Sequence, residues 1–276
     1  MRGLKALSLQ YGGVMKNVHY ALQTCDVSSN QVEKRFCCDS KAELIRKCVT
    51  SFFRSVHRAA ERERGINHNI MIFDDHSTEE TVYFLQECVR IYSKHNVVVQ
   101  LTPLEKRGIM NSIGSCYDWM LDKGTDLVYQ VQDDYLFDEY AVTEIIDTYF
   151  RILKDTNAES IVTPYNAPYL WKDIYWNSTT PRTVFLGEKR YWIQIYDISC
   201  SFFTSHRNMY ENRDILKEFL ELDPRNPDLE KISLNKIMVK RGKLAVCPFE
   251  SIALHMQGEY ERDPYVDWKP IWDSIE

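Results

Sequence analysis

Residues Asn69–Thr81, "NIMIFDDHSTEET", decide the fold. The apolar run Ile70–Phe73 ends in two adjacent aspartates, and these pass straight into Ser77 and Glu80, spaced as a helix capping box. Val82, Leu85, Val89 and Tyr92 then follow at helical spacing. The stretch therefore predicts a short buried strand, a turn and an amphipathic helix, which is the repeating unit of a βαβ sheet. A second strand, "DLVYQV" (Asp126–Val131), runs into another aspartate pair, Asp133-Asp134. With twenty Asp in the chain, chance supplies about 1.4 adjacent pairs, so the two pairs matter only through their place at strand ends.

Working outward, "VHYALQTC" (Val18–Cys25) predicts a first strand, and the seventeen residues before it, with a Gly12-Gly13 turn, a hairpin. Ser40 with Glu43 is a capping box opening a long helix in "DSKAELIRKCVTSFFRSVHRAAER", whose Ile45, Cys48, Val49, Phe52, Val56 and Ala59 trace one face. "NVVVQL" predicts a third strand and "RGIMNSIGSCYDWML" a helix, so "DLVYQV" is the fourth strand. This alternation over the first 150 residues implies an α/β fold with a mainly parallel central sheet flanked by helices. Beyond Lys154 it weakens. Ser160–Thr163 predicts a strand, residues around 212–222 and 229–240 predict helices, and "LAVCPF" a further strand. The nine aromatics between Tyr165 and Tyr196 serve either as sheet core or as ring faces for a sugar. No repeat and no linker divides the 276 residues, which are enough to bury roughly 75% of the unfolded surface.

Composition narrows the function. Hydrophobic residues make up 44% and charged residues 27%, and the net charge of −6 argues against a nucleic-acid partner. Eight cysteines form no C-x-x-C pair, so neither a zinc site nor a disulfide framework is expected, and the chain is placed in the reducing cytoplasm. The sequence predicts no signal peptide and no transmembrane segment. Asn177-Ser178-Thr179 is then a glycosylation sequon by coincidence.

Ligands of open α/β sheets bind at the carboxyl ends of the strands, and one parallel sheet would bring both aspartate pairs to one rim. The structural alternative is helix capping for the first pair and a solvated turn for the second. On the functional reading, Asp74 and Asp75 accept hydrogen bonds from a base or ribose. Asp133 and Asp134 hold a hard divalent cation, Mn2+ or Mg2+, that offsets repulsion between an acidic rim and a diphosphate.

"LQTC", "IFDDHSTEET" and "YQVQDDYLF", in that order, resemble the strand end, the D-D-x-S nucleotide turn and the D-x-D metal motif of GT-A fold glycosyltransferases, family 2 in particular. Residues 18 to about 140 carry the resemblance well and the rest loosely, which implies a single GT-A domain with a nucleotide-sugar half and, from about 155, an acceptor half. In the second motif Gln132 replaces the first acid. The resemblance implies that Gln23, Thr24, Asp74, Asp75, Arg107 and Asp133 meet the nucleotide sugar, UDP-linked by preference, and that Asp134 binds the metal. It also implies His255, in "SIALHMQG", as a further metal ligand, against the alternative of a core histidine. "YDISCSFFTSHR" resembles the loop and strand where the family meets its acceptor, which implies Asp197 as a partner for an acceptor hydroxyl, against the alternative of a turn residue. The general base of an inverting transfer is expected in "NPDLEKISLNKIMVKRGK", with Gly242 as marker: Glu230, or alternatively Asp228. The family's E-D pair is absent there, and both acids also suit the first turn of any helix. Arg107 equally suits a solvated helix start.

Two rivals remain. A nucleotidyltransferase also pairs an α/β sheet with a carboxylate-bound metal, but it would carry a Gly-rich basic loop after its first strand, and "QTCDVSSNQ" has no glycine. A nucleotide- or sugar-binding module without turnover is the other, since fold does not fix function.

Overall fold

Strand β1 (Lys16–Thr24) is buried over its last seven residues, as befits a strand with neighbours on both edges and layers on both faces. The structure, a computed structural model, describes residues 16–27, 37–38, 40–63, 65–166, 182–196, 201–223, 241–256 and 265–275. The hairpin expected before β1 and the helix expected at 229–240 lie outside them.

β1 pairs in parallel with β2 (Ile66–Asp74) on one side and β4 (Leu127–Gln132) on the other, and β2 pairs in parallel with β3 (Val97–Pro103). Parallel neighbours need long crossovers, supplied here by α1 (Lys41–Arg62), α2 (Glu79–Tyr92) and α3 (Ile109–Lys123). The first two crossovers step outward from β1 to β3, and the third returns to β4. Because such crossovers are right-handed, the return puts α3 on the opposite face from α1 and α2. The strand order β3-β2-β1-β4 thus has its topological switch between β1 and β4.

α1 begins as its spacing predicts: Ser40 is the N-cap and its hydroxyl accepts from the Glu43 backbone N–H. Its face of Ile45, Cys48, Val49, Phe52, Val56 and Ala59 is buried. Phe52 sits among Tyr20, Phe53 and Phe137 with ring centroids 5.4–5.7 Å apart. Phe52→Ala is therefore expected to cost about 3–5 kcal/mol. The shift of the urea midpoint at unchanged slope measures it, and a loss under about 1 kcal/mol would mean that the core closes over the gap.

The rest of the chain adds β5 (Tyr135–Phe137), α4 (Ala141–Thr156), β6 (Ser160–Val162), β7 (Val184–Leu186), β8 (Tyr191–Ile195) and β9 (Phe202–Ser205). It continues with α5 (His206–Glu211), α6 (Arg213–Leu220), β10 (Leu244–Pro248), β11 (Ala253–His255) and α7 (Lys269–Asp273). Beyond β4 the sheet runs β9-β6-β10-β8-β7, with β9 antiparallel to both its neighbours and β10 parallel to β6. β5 and β11 form a separate antiparallel pair. The α/β class with its parallel block is as expected, and antiparallel strands extend it at one side. No helix among the described residues is long and apolar enough to cross a membrane.

Candidate active site

Pairing register brings the carboxylates together. Thr24 stands opposite Asp74, and Gln23 opposite both Phe73 and Gln132, so β1, β2 and β4 end at one level. Both carboxylate oxygens of Asp74 are engaged in the turn: the Thr24 hydroxyl donates to one at 2.9 Å and the Ser77 backbone N–H to the other at 3.1 Å. Asp75 donates its backbone N–H to the Thr24 carbonyl at 2.8 Å. Its carboxylate accepts from the Gly108 N–H at 2.8 Å and lies 3.1 Å from the His76 ring. Two unusual backbones achieve this, since His76 has φ 58° and Gly108 φ 114°, the second open in practice only to glycine. One carboxylate is thus aimed by two neighbours.

The helix start differs from the capping box expected at Ser77. The N-cap of α2 is Thr78, with no side-chain cap of its own. Asp26, beyond the end of β1, holds the N-cap residue itself from outside: its carboxylate accepts from the Thr78 backbone N–H at 2.8 Å and from the Thr78 hydroxyl. The Ser77 hydroxyl accepts instead from the Asp26 N–H at 3.2 Å. A tertiary contact outcompetes the local one because both polar groups of the loop then find partners.

At the switch point, Asp133 accepts the Cys25 N–H at 2.8 Å on one oxygen and the Lys41 ammonium at 2.6 Å on the other. Burial pushes the Asp133 carboxyl above its ordinary value, Lys41 opposes this, and the charge of Asp134 adds to it. Asp134 Oδ1 lies 3.6 Å from His255 Nε2. The small β5–β11 sheet sets that distance: His255 is paired with Tyr135, its ring stacks on the Tyr135 ring at 4.7 Å, and Met256 donates to the Asp134 carbonyl.

Gln23, Thr24, both aspartate pairs and His255 are therefore gathered along one rim. Gln23 is buried, 3.5 Å from the Gln130 amide. Arg107 is exposed beside Gly108 in the β3–α3 connection, and its carbonyl accepts from Asn111. Asp197, Asp228 and Glu230 lie outside the described residues. Lys41, His76 and Gly108 escaped the sequence reading. Lys41 had left a signal, because a lysine in the first turn of a helix opposes the dipole and so asks for a partner elsewhere.

Among the described residues no group of three or more His, Cys, Asp or Glu is placed to hold a metal ion. Asp134 and His255 offer two donors. Two ligands at about 2.1 Å from one ion and at right angles stand about 3 Å apart, so the 3.6 Å separation is about 0.6 Å too wide and a small side-chain shift would let the two hold one cation, with water or phosphate oxygen completing its shell. Among the described residues the donors suit a shared cation and do not form an all-protein cage.

No protein-family model and no curated protein sequence matches the chain. Solved structures do. S. aureus TarS, residues 1–349, superposes with a TM-score of 0.50 at 9% identity, over 84% of this chain and 57% of that one. The mannosyltransferase PcManGT from Pyrobaculum calidifontis, in complex with GDP-Man and Mn2+, gives 0.48 at 14% identity, over 84% and 54%. UTP-bound UGPase from Acinetobacter baumannii gives 0.46 at 12% identity, over 89% and 90%. The fold is GT-A-like. At these identities the likeness speaks for the fold alone, and the chain spans little more than half the length of the first two.

Proposed function

We propose that the chain is a glycosyltransferase moving a sugar from a nucleoside diphosphate, UDP by preference, to a hydroxyl acceptor with inversion. One observation carries the reading: the end of β1 is fastened to both aspartate turns at the topological switch, through Thr24 to Asp75 and through Cys25 to Asp133. A nucleotide sugar laid across that crevice meets an oriented acceptor carboxylate at one end and the acidic pair at the other. Asp75 reads the base, while Gln23, Thr24 and Asp133 meet ribose or donor sugar. Asp74, already bonded within its turn, shapes it. Asp134 and His255 would hold the divalent cation, which when bound neutralises the diphosphate leaving group. Asp197 orients the acceptor, and Glu230 takes the proton from its hydroxyl as that oxygen bonds to the anomeric carbon and the bond to the diphosphate breaks.

Thermal-shift screening of nucleoside diphosphates with and without manganese tests the donor class. UDP at a hundred times its dissociation constant is expected to add about 2.7 kcal/mol. Slow release of UDP from UDP-sugars without acceptor then marks a transferase. A chain that binds UDP-sugar without ever releasing UDP is a binding module, and one that makes UDP-sugar and pyrophosphate from UTP and a sugar 1-phosphate is a nucleotidyltransferase.

The base reading has its own test. If Asp75 accepts the N3–H of uracil, Asp75→Ala loses a charge-assisted bond of about 1.5–3 kcal/mol and binds UDP roughly ten- to a hundred-fold more weakly. Wild type should disfavour CDP, since cytosine has no N–H there. A carboxylate that only braces Gly108 and His76 predicts a lower melting temperature with nucleotide preference intact. Affinities for UDP, CDP and GDP measured beside the melting temperature of this variant separate the two.

A further inference from the structure

Lys41 has a role that strand and helix formation do not require. Among the described residues no other lysine or arginine is buried. It occupies the first position of the 22-residue α1, where the helix dipole disfavours a cation. Its side chain is only 7% exposed and meets Asp133 at 2.6 Å. A buried ion pair is weak support for a fold, because desolvation of both charges offsets most of their attraction, and a packed apolar side chain would start the helix at least as well. What the pair does is order charge along the rim. Lys41, Asp133, Asp134 and His255 follow one another, with the cation at one end and the 3.6 Å Asp134–His255 pair at the other.

We propose that Lys41 is a built-in counter-cation that divides the two rim aspartates between two ligands. It keeps Asp133 bonded to itself and to the Cys25 N–H, and so leaves the divalent ion to Asp134 and His255. It also presents a fixed positive charge to the diphosphate, so that phosphate groups bind with the divalent ion absent. This rests on the reading of the rim as a nucleoside-diphosphate-sugar site.

The test uses two probes by calorimetry on the full chain: Mn2+ alone, and inorganic pyrophosphate in excess chelator. Wild type should bind each. One missing charge acts with opposite sign on a cation and an anion, so Lys41→Met should bind pyrophosphate roughly ten-fold more weakly and Mn2+ several-fold more tightly. Lys41→Arg, which keeps the charge, should return both towards wild type. Asp133→Asn leaves Lys41 uncompensated and should do the reverse, weakening Mn2+ and strengthening pyrophosphate. Pyrophosphate is the probe because it has no ribose for Asp133 to contact. A purely structural lysine would move both affinities the same way or neither. Either result in a folded Lys41→Met protein overturns the proposal, as does wild type that binds neither probe. Should Lys41→Met fail to fold, Asp133→Asn decides by the same signs. Opposed shifts in a protein that never releases UDP from UDP-sugar would uphold Lys41 and sink glycosyl transfer.

Discussion

Glu230→Gln is expected to lower sugar transfer by ~10²–10⁴-fold while donor affinity stays nearly unchanged. Glutamine keeps the size and the hydrogen bonding of the side chain and removes only its capacity to take a proton. An inverting transfer needs that capacity once, when the acceptor oxygen attacks, and binding the nucleotide does not need it at all. The residue lies outside the described part of the structure, so its assignment rests on its spacing ahead of Gly242. That marker is now visible. Gly242 adopts φ 62°, a left-handed turn that suits glycine, and Arg241 before it is tied to the Glu211 carbonyl and to Asp214 at 2.6 Å each. The C-terminal end of the segment is thus anchored to the α5–α6 connection. Single-turnover rates and UDP affinities of Glu230→Gln and Asp228→Asn settle the position: a loss confined to Asp228→Asn moves the base two residues upstream.

Legibility of the fold followed the strength of local signals. β1 to β4 were readable because each is an apolar run bounded by a helix signal, and α1 because Ser40 and Glu43 announce it. α4 carries apolar residues at helical spacing but starts at Tyr140 without a capping side chain, so its opening is silent. β5 and β11 are three residues each, too short for any periodicity, and exist only because they pair with each other. The site divides in the same way. Asp75 and Asp133 stand out in the sequence because strand ends mark them. The contact that pulls Ser77 away from α2 comes from Asp26, 51 positions away, and the Lys41–Asp133 pair spans 92. Neither pairing is written in local spacing. Only the charge sign of Lys41 against its helix hinted that a distant partner existed.

Asp134→Ala should abolish the manganese-dependent part of UDP binding. Among the described residues the rim offers the cation two protein donors, Asp134 and His255. Removing one leaves a single neutral nitrogen against a hydrated divalent ion, so the loss should exceed the ~10–100-fold typical of changes one shell further out. The fold should survive. The Met256 N–H bonds to the Asp134 backbone carbonyl, which alanine keeps, and the β5–β11 pairing and the Tyr135–His255 stack involve other atoms. Repulsion from the Asp133 carboxylate also disappears, which offsets part of any lost packing. UDP binding in chelator, supported by Asp75 and Lys41, should persist and tighten somewhat, because one negative charge leaves the rim, and a gain without metal beside a loss with metal separates a metal ligand from a general scaffold residue. His255→Ala should show the same pattern more weakly, since the stronger, charged ligand remains. Calorimetry of UDP with and without manganese on the two variants decides the matter. Manganese that still tightens UDP binding to Asp134→Ala as much as to wild type would remove this carboxylate from the cation and leave it as the turn that carries β5.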